Sequence, residues 1–275
     1  MDRKIYTTTT GFVDSGKDFG SDYVKYLKAP KVAMLTGDQT SSLSVGEIWY
    51  FFEQQLHYPV TQIGTDYFKS IELSKYNVLV VPEGNYRLFD EKTLADIGSW
   101  VSDGGRLIVI ANALNSFADQ KGFGLKLYTN DDEKKAMEKL ESDQKVKEGL
   151  LTYDAAERKS ISEFLPGAIY KTTLDKSHPL AFGLGDTYYS LRENNLRFGF
   201  LEDGWNVGII KGKAKPVQGF TGFKANRKLD NSLVFGVEDK GQGQVIYFVD
   251  NPLFRCFWEN GKLAFANAVF LVGGK

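Results

Sequence analysis

Two short apolar runs, Val78–Val81 and residues 107–110, constrain this chain more than any other feature. Each is uninterrupted and rich in β-branched side chains, the pattern of a strand buried on both faces rather than one with a wet side. Between them Leu88, Leu94, Ile97, Trp100 and Val101 recur at roughly helical spacing, and Asp103-Gly104-Gly105 supplies a stop. Strand, helix and strand in that order make a βαβ unit, so both strands are expected inside a parallel sheet. In open sheets of this kind ligands bind beyond the carboxyl ends of the strands. The loops to inspect for chemistry are therefore Pro82-Glu83-Gly84-Asn85 and Ala111-Asn112-Ala113-Leu114-Asn115.

The preceding residues extend the same rhythm. Residues 31–36 read as a first buried strand, Gly37-Asp38 as a turn, and a helix opens near Ser44 with Ile48, Phe51, Phe52, Gln55 and Leu56 on one face. Tyr58-Pro59 ends it, and residues 60–63 give a second strand. With right-handed crossovers this predicts an α/β fold with a doubly wound, mostly parallel, flavodoxin-like sheet. Residues 1–29 are polar and read as an extended lead-in, leaving 30–275 as a single domain. Residues 131–148 are charged almost all round, which predicts a solvated helical insertion.

Beyond Pro166 the texture becomes β-rich. Runs at 168–172, 196–201, 206–210, 232–237 and 244–249 are separated by glycines and turns, and the last two read as a hairpin around 238–243. A final helix over 263–272 would turn Leu263, Ala266, Val269 and Phe270 to the core.

Composition excludes several classes. Lys plus Arg total 34 against 35 Asp plus Glu, so no global field draws the chain to nucleic acid or an anionic membrane. One cysteine, Cys256, allows no internal disulfide, and two histidines without metal-ligand spacing give no transition-metal site. No cofactor is called for. No apolar run is long enough to span a bilayer, and the first residues lack the apolar core of a signal peptide.

The order of elements resembles the class I glutamine amidotransferase-like fold. In that family a Gly-Gly after the third strand forms the oxyanion hole, and Pro82-Glu83-Gly84 keeps one glycine. The family's Gly-x-Cys-x-Gly turn falls on Ile110-Ala111-Asn112-Ala113-Leu114, which holds neither thiol nor hydroxyl. Its His-Pro-Glu falls on Asn251-Pro252-Leu253, so base and orienter are replaced as well, and no catalytic residue is expected.

A closer resemblance, over nearly the whole chain, is to the C-terminal amidotransferase-like domain of secreted bacterial zinc carboxypeptidases of the M14 type. It is carried by GEIWYFFEQQLHYPVT, YNVLVVPEGNY, WVSDGGRLIVIANALNSFA, LPGAIYKTTLDKSHPLAFGL and the stretch GQGQVIYFVDNPLFRCFWENGKLAFANAVFLV. The resemblance implies a peptidase domain in cis within a longer, secreted or periplasmic chain. It also implies that these residues are a non-catalytic accessory module that binds, orients or dimerises.

Polar residues still gather at the strand ends. Glu47, Glu83, Asn112, Asn251 and Arg255 are the candidate lining of a pocket for a small polar ligand. Glu47 reads either as a carboxylate at the mouth of the sheet or as a helix-start acid. Arg255 reads as an anion holder, as a cation stacked on a ring, or as the ion-pair partner of Asp250 or Glu83. His178 reads as a turn cap and Cys256 as an inert thiol. The alternative to an accessory module is a hydrolase or ligand-binding protein using those strand-end groups. Oligomeric state is left open.

Overall fold

A computed structural model describes residues 4, 6–22, 24, 27–128 and 152–273. The helices are α1 (Ser42–Tyr50), α2 (Glu91–Ser102), α3 (Tyr153–Glu163), α4 (Phe223–Arg227) and α5 (Glu259–Phe270). The strands are β1 (Val32–Thr36), β2 (Val60–Gly64), β3 (Val78–Val81), β4 (Arg106–Ile110), β5 (Gly167–Leu174), β6 (Tyr188–Arg192), β7 (Trp205–Ile210), β8 (Pro216–Phe220), β9 (Ser232–Lys240) and β10 (Gly243–Phe248). They form one sheet in the order β2-β1-β3-β4-β10-β9-β7-β5-β6, with β8 on β5.

The first five strands of that order are parallel, and the remainder pair antiparallel. Ile108 sits level with Val80 on one side and Ile246 on the other. Successive side chains of a strand point to opposite faces, so each apolar run must be covered twice. Val32, Met34, Val80, Ile108, Ile110, Ile246 and Phe248 pack with Ile48, Phe52, Ala264, Phe265 and Ala268 from α1, the turn after it and α5. Ala33, Leu35, Leu79, Val81, Leu107, Val109 and Tyr247 pack with Leu94, Ile97, Trp100 and Val101 of α2 on the other side. The sheet is a mixed α/β layer with helices on both faces. The glycine at the α2 stop, Gly104, has φ +111°, the left-handed geometry that a helix stop requires.

Several expectations are corrected. The first helix begins at Ser42 and runs into a π-helical turn, Phe51–Leu56, closed by the left-handed His57; Phe51 and Phe52 are buried while Leu56 is exposed. The last helix begins at Glu259 rather than 263, and its buried stripe is Ala264, Phe265, Ala268 and Val269, with Leu263 exposed. Ala266 and Phe270 pack partly buried against the same core, so of the four residues expected to face it Leu263 is the one that does not. Residues 196–201 form no strand and make only an isolated bridge, Leu127 with Phe198, held by Tyr128 N–H to the Arg197 carbonyl and Gly199 N–H to the Lys126 carbonyl. β6, β8 and α3 have no counterpart among the expected elements. The helical insertion expected at 131–148 lies outside the described residues.

Candidate functional site

Three loops leave the carboxyl ends of β3, β4 and β10 beside the start of α1. The loop after β3 is fastened to that helix. Ser41 N–H donates to the Glu83 carbonyl at 2.7 Å, and Glu83 N–H donates to Ser44 Oγ at 3.2 Å. Gly84 lies so close to the preceding turn that a Cβ there would come within 2.2 Å of the Gln39 carbonyl oxygen. Only glycine fits this approach.

The loop after β4 opens on Ala111, which has φ +52°. A non-glycine residue held in the left-handed region stores about 1–2 kcal/mol of strain, which persists only where the surroundings enforce it. The next side chain, Asn112, accepts a hydrogen bond through Oδ1 from Gly84 N–H at 2.8 Å. It thereby joins the second loop to the first.

The loop after β10 is held by two carboxylates. Asp250 accepts from Arg192 Nη1 at 2.7 Å and from the Ser190 hydroxyl. The Arg192 side chain is fully buried and its Nη2 donates to the Leu196 carbonyl. Burial raises the Asp250 carboxyl above the usual aspartate range, with Arg192 and Ser190 opposing. Glu47 takes the Asn251 side-chain amide on one oxygen and Arg255 N–H on the other, the latter at 2.7 Å. Arg255 and Cys256 are consecutive left-handed residues, with φ +47° and +58°.

The structure therefore joins Glu47 to Asn251 and to the Arg255 backbone, and Asn112 to the Glu83-Gly84 loop. Glu47 is not a helix-start acid, since it stands in the second turn of α1 and the first turn has none. The Arg255 guanidinium is exposed and 5.2 Å from the centre of the Phe254 ring, and the counter-charge of Asp250 is Arg192 instead. His178 caps a short turn, accepting from Leu180 N–H at 3.1 Å. The Cys256 thiol is pushed above its usual range by burial and then by Glu47, the opposite of what a nucleophile requires.

Arg192 and Glu193 escape a reading of the sequence. Arg192 had a legible signal, a cation in phase with Tyr188 and Ser190 on the inward face of a strand. Glu193 had none, because only the fold carries it to the rim near Glu83, Arg255, Glu47 and Asp250. Partial burial and then Glu83 raise its carboxyl. Burial and then Glu47 raise that of Glu83.

A carboxyl raised in the folded state favours folding while protonated and opposes it when ionised. Its penalty is absent below the unfolded glutamate value, about 4.3, and complete above the folded value. Glu83→Gln should therefore unfold at a higher urea midpoint than wild type at neutral pH, with the gain vanishing below that range. Equal midpoints at neutral pH would show that Glu83 ionises without penalty.

The sequence matches no protein-family model and no curated protein. Solved structures resemble it in fold. A protein of Thermoplasma acidophilum assigned as a GMP synthase component aligns with a TM-score of 0.50 at 13% identity, covering 87% of this chain and 92% of that one. A glutamine amidotransferase of Thermotoga maritima aligns at 0.47 and 10% identity, over 88% and 96% of the two chains. A cytoplasmic protein of Salmonella typhimurium aligns at 0.46 and 10%, over 87% and 97%. At 13% identity the likeness to the Thermoplasma protein is one of α/β fold alone. Among the described residues no helix is long and apolar enough to cross a membrane.

Proposed function

We propose that this chain is a non-catalytic accessory module on a flavodoxin-like, amidotransferase-like scaffold. It binds, orients or dimerises beside a catalytic domain. The observation that carries the proposal is Ala111. Hydrolases with a strand-to-helix nucleophile elbow place the attacking residue on a sharp, strained turn just after a strand. Here the strained position after β4 holds a methyl group, and Asn112 beside it is an amide bonded to Gly84 N–H. Nucleophilic attack needs an ionisable group with a base in reach. The loop after β10 offers Asn251, whose amide is occupied by Glu47 and Leu253 N–H.

The resemblance in the sequence adds the partner: a zinc carboxypeptidase domain in cis, in a secreted or periplasmic protein. The purified chain is expected to hydrolyse neither glutamine nor C-terminal peptide bonds, and to carry no stoichiometric zinc by elemental analysis. Steady glutaminase turnover that disappears in Cys256→Ser would overturn the proposal.

A second reading is favoured by the raised carboxyls of Glu83 and Glu193 beside Glu47. Carboxylates that resist ionisation together would be relieved by a cationic or hydrogen-donating ligand at the strand ends. Titration calorimetry with free amino acids and amines tests it, and heats identical in wild type and Glu83→Gln would exclude it.

A further inference from the structure

We infer that the open groove between the face of β5, β6 and β8 and the segment entering α5 binds a neutral saccharide. The groove has a volume of about 550 Å³, within the range of small-molecule sites, and its lining includes none of Glu47, Glu83, Asn112, Asn251 and Arg255. Tyr189, Phe257 and Trp258 present aromatic surface to it, and Ile169 and Val217 supply aliphatic surface. Phe257 is 56% exposed, a poor position for a ring unless something covers it. Trp258 is set in place beforehand, since its indole N–H donates to the Tyr189 carbonyl at 2.9 Å and its ring meets Phe257 edge-on at 6.3 Å. A preset ring loses little freedom on binding.

Polar groups complete the lining: Gln218, Glu259 and Asn260. The Gln218 amide is exposed, with no side-chain hydrogen bond among the described residues. Glu259 is the charged residue of the lining, and Lys262 neutralises it at 2.7 Å. This balance favours neither a phosphate nor a quaternary amine. A wholly apolar ligand would bury the Gln218 amide without a partner, which is costly. A pyranose offers apolar C–H faces for the rings and hydroxyls for the amide and carboxylate, so it satisfies both halves of the lining.

The test is saturation-transfer NMR and fluorescence titration with cellobiose, maltose, lactose and N,N′-diacetylchitobiose. At least one is expected to bind with a Kd of about 1 mM or tighter. Phe257→Ala should weaken it about tenfold, with Trp258→Phe retaining most of the affinity and Trp205→Ala, outside the groove, retaining all of it. Melting curves would confirm that each variant is folded. The inference is overturned if none of the four binds, if binding is indifferent to Phe257→Ala, or if tetramethylammonium competes for the groove. It is also overturned if Phe257→Ala alters only self-association. The catalytic status of the strand ends does not bear on this result.

Discussion

Asp250→Ala is expected to lower the unfolding free energy by about 3–5 kcal/mol. The substitution leaves Arg192 charged in a position closed to solvent, where its Nη1 has lost its acceptor. Among the described residues its Nε has no hydrogen-bond partner and its Nη2 donates to the Leu196 carbonyl. Breaking one half of a buried pair costs more than the pair contributes, because the remaining ion is still desolvated. The pair also joins β6 to the end of β10, so the loop from Asn251 to Cys256 should loosen with it. Urea unfolding followed by circular dichroism measures the loss. The double variant Asp250→Leu with Arg192→Met should recover most of it, since an apolar pair of similar bulk leaves no charge behind. A loss below about 1 kcal/mol in the single variant would mean that water reaches Arg192 and that the pair does not anchor the loop.

Phe265→Ala should cost a comparable amount, about 3–5 kcal/mol. This ring is fully buried in α5 and meets three others edge-on or tilted: Phe51 at 5.7 Å, Phe52 at 6.0 Å and Phe248 at 6.4 Å. It thereby binds the last helix to the first helical segment and to β10. Removing it opens a cavity among side chains fixed by the sheet, and such a site collapses poorly. Phe257→Ala, eight residues earlier on the exposed side, should change stability by no more than about 0.5 kcal/mol. Similar losses for the two would contradict the packing described for α5.

What the sequence determined by itself is the set of elements whose burial is written in their period. Val78–Val81 and residues 107–110 had to be internal strands, since an uninterrupted apolar run has no side to give to water. The helix of Leu94, Ile97 and Val101, the stop at Gly104 and the hairpin of β9 and β10 were legible for the same kind of local reason. So was the lack of any thiol or hydroxyl in the turn after β4. Periodicity says which side of an element is hidden, however, and not which element hides it. That β10 pairs with β4, more than a hundred residues away, is settled only when the chain closes. With that pairing come the meeting of Glu47 with Asn251 and Arg255 N–H, the counter-charge of Asp250, and the left-handed turn at Ala111. Each depends on a backbone path or a partner distant in sequence. Alanine has no local preference for a positive φ; the loops packed around Ala111 impose it, and nothing in its neighbours along the chain announces it.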